Sequence, residues 1–130
     1  VGGRNPAYRT AVGQLLLSVD LTTEEDLSAW VGDRRPEPKT QNSITSVPAL
    51  SQRLRLTRAR GYGADDQETA VGVNCVALPL YLDGAADPVG AVSVSALAFR
   101  YPIDRLVESI PALRSIIEAH LGAGASGRVD

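Results

Sequence analysis

The chain is 130 residues long, with 13 basic and 15 acidic side chains, a formal net charge of −2 and one cysteine. A chain of this size buries roughly two-thirds of its unfolded surface, enough for one core without cross-links, and its lone cysteine excludes an internal disulfide. The charge offers no general attraction for nucleic acid, and with no signal-like N-terminus and no apolar run of about 18 residues a cytoplasmic chain that neither enters nor crosses a membrane is expected.

Asn5 followed by Pro6 signals a helix start, a side-chain cap with proline at the first helical position, and the helix is expected to run to about Ser18. Gly13 in its interior costs about 1 kcal/mol relative to alanine, so the glycine is expected to allow close approach by a strand or a ligand. Thr22 with Glu25 resembles a capping box for a short helix that carries Leu27 and Trp30 and stops at Gly32. Trp30 is then a core or interface anchor. Asp33 to Asn42, with two prolines and no apolar side chain, reads as a surface loop, either a lid or a plain connector.

Pro48 opens the next helix, with Leu50 and Leu54 as its apolar stripe, Arg60 as its end and Gly61 as a left-handed cap. Arg53, Arg55 and Arg58 spread around that helix, so together with Arg60 they read as a solvated face rather than a phosphate-binding patch. Asp65, Asp66 and Glu68 follow. With no nearby histidine and no ligand spacing they do not form a metal set, and Glu68 is expected to bond backbone amides in the turn.

Ala70 to Leu82 and the run from Val89 are two apolar stretches separated by Asp83, Gly84, Asp87 and Pro88, the pattern of an antiparallel hairpin. Alternation puts Ser93 and Ser95 on one face, and an even register adds Cys75 and Ala77 to it. The opposite face carries Val76, Leu78 and Leu80 against Val92, Val94 and Ala96, an ordinary core side. The small residues are open to two readings: core side chains with hydroxyls bonded to nearby carbonyls, or the wall of a hollow that holds a guest. Asp104 to Leu121 has helical apolar spacing and is expected to cover the packed face, broken near Ile110 by Pro111 into two short helices. Residues 123–130 read as a flexible tail.

Taken together, Arg60-Gly61-Tyr62, Asp66, Glu68, Gly72 to Pro79 and Ala91 to Ser95 resemble the effector-binding domain of the IclR family of bacterial transcription regulators. Pro6 to Leu17 with Gly13 at its centre resembles the family's Pro then Thr-Ala-x-Gly helix, and Thr40 to Thr45 resembles its T-x-x-T-I strand. The resemblance covers about residues 1–122 and implies an α+β domain, a GAF-like or profilin-like antiparallel sheet flanked by helices. It further implies a fragment, since the family's N-terminal winged helix-turn-helix and the first strands of its effector domain do not precede Val1. Gln14 and Tyr8 stand where the family often has Lys and His, so ligand preference does not transfer.

Carried over position by position, the resemblance implies a ligand pocket at Ala11, Val12, Gly13, Asp65, Cys75, Ser93 and Ser95, with Asp65 at its rim and the serine hydroxyls and helix backbone holding polar ligand groups. It implies a small organic or aromatic acid as effector, self-association as a dimer or tetramer, DNA contact only through the missing domain, and no cofactor or metal. Two other functions compete with it. One is a stand-alone GAF-like sensor. The other is a small enzyme with Cys75 as nucleophile and His120 as base, which is disfavoured because His120 lies on a helix expected on the far face of the sheet.

Overall fold

A computed structural model describes residues 2–121, apart from the side chain of Leu121, so the expected tail lies outside the described residues. Three strands, β1 (Gly63–Asp66), β2 (Val73–Leu80) and β3 (Gly90–Leu97), form an antiparallel sheet in that order. Helices α1 (Ala11–Asp20), α2 (Glu24–Val31) and α3 (Val47–Arg60) precede the sheet in the chain, and α4 (Ile103–Glu108) and α5 (Ile110–Leu121) follow it. This is the α+β architecture the sequence predicts.

The helix ends correct two expectations. Asn5 and Pro6 open only a 3-10 turn, Ala7–Arg9, which has no side-chain cap; α1 starts after Thr10, whose hydroxyl accepts from the Gly13 amide at 3.0 Å, and runs on to Asp20. In α2 the cap is Thr23 rather than Thr22, accepting from the Asp26 amide at 3.0 Å, and three acidic residues in the first turn suit the helix dipole. Both shifts have one cause. A cap is chosen by where extended backbone meets the first turn, and several Asx or hydroxyl residues compete for that place.

The end of α3 follows the prediction, with Gly61 in left-handed geometry at φ 78°. So does the C-terminal break, which falls at Ser109 and leaves Pro111 as the second residue of α5, where it lacks no helical partner. Thr40 to Thr45, by contrast, form no strand. Their side chains bond across to the sheet: Thr40 and Asn42 donate to the carbonyls of Gln67 and Asp66, and Ser43 donates to that of Glu68 at 2.7 Å, clasping the turn between β1 and β2.

The hairpin has the expected register, with Cys75 opposite Ser95, Ala77 opposite Ser93 and Val76 opposite Val94. One face carries a core of Val76, Leu78, Leu106, Ile110 and Ile117, so α4 and α5 do cover it. A second cluster, Leu27, Val31, Leu50 and Leu54, ties α2 to α3. Each of these large side chains contributes about 1.5–3 kcal/mol by leaving water. The third cluster is small. Ala11 and Leu15 of α1 sit on Ala77, with Val12, Cys75 and Ala91 around them.

Small residues set how closely α1 approaches its neighbours. A Cβ on Gly63 would overlap the Ala11 carbonyl oxygen, so glycine there lets α1 lie against β1. Gly13 has a different partner from the one expected: a Cβ on it would overlap the Ala7 carbonyl, so it packs on the 3-10 turn and not on a strand.

Candidate functional site on the α1 face of the sheet

Alternation along three paired strands brings one residue set to the α1 face. Gly63 and Asp65 of β1 pair with Ala77 and Cys75 of β2, which pair in turn with Ser93 and Ser95 of β3. Helix α1 covers only part of this face. Ala11, Gly13, Asp65 and Ala77 are buried, Val12 and Cys75 are half-buried, and Ser93 and Ser95 are exposed. The serines are therefore not packed core residues bonded to nearby carbonyls. Their hydroxyls are open on a strand whose same-face neighbours are Ala91 beyond Ser93 and Leu97 beyond Ser95.

Of the seven sequence-predicted site residues, the structure brings Ala11 and Val12 over Cys75, and Ser93, Ser95 and Asp65 beside it. Two are already engaged. The Gly13 amide donates to Thr10, and the Asp65 carboxylate accepts from the Glu68 amide at 2.7 Å. First-turn amides such as those of Ala11 and Val12 have no partner within the helix, which leaves donors at the covered end of the face. Cys75 points its thiol towards its neighbour's carbonyl at 3.7 Å. His120 is exposed on α5, its Nδ1 2.9 Å from the Ile116 carbonyl oxygen, on the helix layer opposite to α1. A Cys75–His120 pair is therefore not formed.

Beneath Asp65 lies a polar network that sequence reasoning only half anticipated. Glu68 bonds the Asp66 amide at 3.0 Å, as expected of a turn carboxylate, yet it is also 2% exposed and paired with Arg53. Arg53 Nη1 donates to both Glu68 oxygens, and lies 3.3 Å from Gln14 Oε1 and 3.2 Å from the Ala64 carbonyl oxygen. Gln14, wholly buried, donates in turn to the Tyr8 carbonyl at 3.0 Å. Burial pushes the Glu68 carboxyl above its usual range, and the Arg53 bond only partly opposes that.

The expected solvated arginine face is thus corrected. Arg53 is taken by Glu68, Arg58 donates to the carbonyls of Ser18 and Leu21, and Arg60 stacks on the Tyr62 ring at 4.5 Å. Burial lowers the Arg60 pKa from its usual value. Arg55 keeps the solvated role, exposed and without a protein partner among the described residues, and Arg58, though bonded, is exposed as well. The signal was present in the spacing: Leu50, Arg53, Leu54 and Thr57 fall on one helical stripe, which places Arg53 on the buried side. Among the described residues no group of three metal-ligating side chains comes together, and no helix is long and apolar enough to cross a membrane.

Known proteins are similar to this chain in sequence and in fold. The HTH-type transcriptional regulator KdgR of Escherichia coli is 32% identical over 126 residues, which is 94% of this chain and 46% of that protein. The crystal structure of the C-terminal domain of E. coli KdgR matches 88% of the chain and 68% of its own length, with 30% identity and a TM-score of 0.73. A double mutant of the PobR inducer-binding domain from Acinetobacter, solved with 3-hydroxybenzoic acid, covers 93% of the chain and 67% of its own length, at 25% identity and a TM-score of 0.77. The chain spans less than half the length of the curated regulators it resembles. The family model for the C-terminal part of the bacterial transcriptional regulator IclR matches residues 1–119, and this chain therefore belongs to the IclR family.

Proposed function

We propose that this chain is the effector-binding and oligomerisation part of a transcriptional regulator, and that a small organic or aromatic acid binds on the open half of the α1 face. The observation that carries this reading is the row of small and polar residues, Asp65, Cys75 and Ser95 in register across three strands with Ser93 beside them, left partly uncovered by α1. In this reading Ser93, Ser95 and the first amides of α1 hold the acid's polar groups, while Ala11, Val12 and Cys75 line its apolar side. Residues 1–122 form the effector-binding unit. The acid's differential affinity for two arrangements of a dimer or tetramer changes DNA binding by a separate helix-turn-helix domain.

The PobR domain solved with 3-hydroxybenzoic acid supports the ligand class. Self-association is supported by Val71, Leu97 and Phe99, which are 78%, 51% and 80% exposed and lie near one another, since the Ala98 amide bonds the Gly72 carbonyl and Leu97 pairs with Val73. Light scattering over a wide concentration range tests it, and a monomer throughout overturns it. The bound chemistry needs no metal or cofactor, and a cytoplasmic setting suits a regulator of genes.

The deciding experiment is a thermal-shift screen of small organic and aromatic acids, 3-hydroxybenzoate included, on the wild type and Ser95→Leu. An acid at about 100 times its dissociation constant stabilises the fold by about 2.7 kcal/mol, a melting shift of several degrees for a domain of this size. Ser95 is exposed, so the leucine is expected to fold and to lose that shift. Equal stabilisation of Ser95→Leu puts the site elsewhere, and no stabilisation by any acid removes the ligand class.

A further inference from the structure

We propose that the cleft between the 3-10 turn and the end of α2 is a second binding site, for a small planar carboxylic acid, independent of the α1 face of the sheet. The cleft encloses about 540 Å³ and is lined by Tyr8, Trp30, Val31, Arg34, Arg35 and Pro36. Small-molecule sites fall at roughly 300–1,000 Å³. Val31 and Pro36 are buried and supply apolar lining, and Trp30, 45% exposed, lines the cleft as well.

The walls are held open by bonds that do not depend on a guest. The Glu37 amide donates to the Tyr8 hydroxyl at 2.8 Å, Arg9 reaches the Glu37 carbonyl at 3.4 Å, and the Arg34 amide donates to the Val31 carbonyl at 3.1 Å. The first two of these links join residues 29 and 28 positions apart, so the loop after α2 is fastened to the 3-10 turn and the cleft is preformed.

The chemistry selects an anion with a flat apolar body. Two guanidiniums against the single carboxylate of Glu37 leave the lining positive. Two of the carbonyls that end α2, those of Ser28 and Val31, already accept from the Gly32 and Arg34 amides. An arginine fork matches a carboxylate, and an indole face beside it takes a planar ring. Nothing in the cleft has the spacing of a metal site, and its concave form suits a small molecule better than a flat protein surface.

Trp30 is the sole tryptophan, so its fluorescence reports on this cleft alone. The test is titration of the chain with sodium benzoate, corrected against free N-acetyltryptophanamide. A saturable change in Trp30 emission is expected, weakened about tenfold or more in the double variant Arg34→Glu, Arg35→Glu, whose exposed positions leave folding intact. Ser95→Leu is expected to bind as the wild type does. No saturable change overturns the proposal, as does a change that survives the charge reversal or disappears in Ser95→Leu. A concentration-dependent emission change without benzoate, cancelled by the same charge reversal, also overturns it and assigns the cleft to a second copy of the chain.

Discussion

A single guanidinium nitrogen of Arg53 reaches both oxygens of the Glu68 carboxylate, at 2.8 and 2.9 Å, from a helix to a turn 15 residues later. The pair fixes the turn that follows Asp65, and the Glu68 amide donates to the Asp65 carboxylate. What stands under the candidate site is thus a partly buried ion pair, whose worth depends on protonation.

Burial raises the Glu68 pKa, so folding binds protons in the window from the ordinary glutamate range up to the raised value, and the group's contribution to stability falls as pH rises through that window. Arg53→Ala removes the opposing bond and widens the window upward. At neutral pH we expect a loss of about 3 kcal/mol, the low end for stranding one buried partner because Arg53 is itself a quarter exposed. The loss shrinks as pH drops below the ordinary glutamate range, where Glu68 is protonated in both states. Urea unfolding at a series of pH values checks this; a pH-independent loss would mean that only packing was removed.

Much of the sheet was legible in the sequence because strand alternation is strict: once Val76 and Val94 are assigned to the core, Cys75 and Ser95 must face the other way. The break before α5 was legible for a similar reason, proline having few permitted places. The starts of α1 and α2 were not, because Asn5, Thr10, Thr22 and Thr23 are all competent caps and tertiary contact chooses among them. Thr40 to Thr45 misled because hydroxyl residues that suit a strand also bond carbonyls through their side chains. Of the site, its shared face could be read, whereas the cover of α1 and the Arg53–Glu68 pair depend on contacts between distant segments.

The two competing caps of α1 can be separated directly. Thr10→Ala removes the hydroxyl that accepts the Gly13 amide and is expected to cost about 1 kcal/mol. Asn5→Ala is expected to change stability by less than about 0.5 kcal/mol, as for an exposed position without a special role. Denaturant midpoints of the two variants give the comparison, and the reverse order would restore Asn5 as the cap.

For nucleic acid the expected outcome is negative. A net charge of −2 gives no general attraction for phosphates, and of the arginines on α3, Arg53, Arg58 and Arg60 are taken up by Glu68, backbone carbonyls and Tyr62. This chain by itself is expected to give no sequence-dependent retardation in a low-salt gel shift. Tight retardation that depends on the DNA sequence would show that DNA recognition is not confined to a separate domain.

Gly13→Ala sets two effects against each other. In a helix interior exposed to solvent the change is favourable by about 1 kcal/mol. Here the new methyl group would overlap the carbonyl oxygen of Ala7, which is backbone and cannot swing aside as a side chain does. Relief requires the 3-10 turn to move off α1, which disturbs the Gln14 bond to the Tyr8 carbonyl and, through Gln14, the neighbourhood of Arg53. Overpacking of this kind typically costs about 1–3 kcal/mol, and with a rigid partner we expect the upper part of that range, outweighing the helical gain. Equilibrium urea unfolding measures the difference. A stability gain in Gly13→Ala would show that the turn yields freely and that α1 is not held by its contact with Ala7.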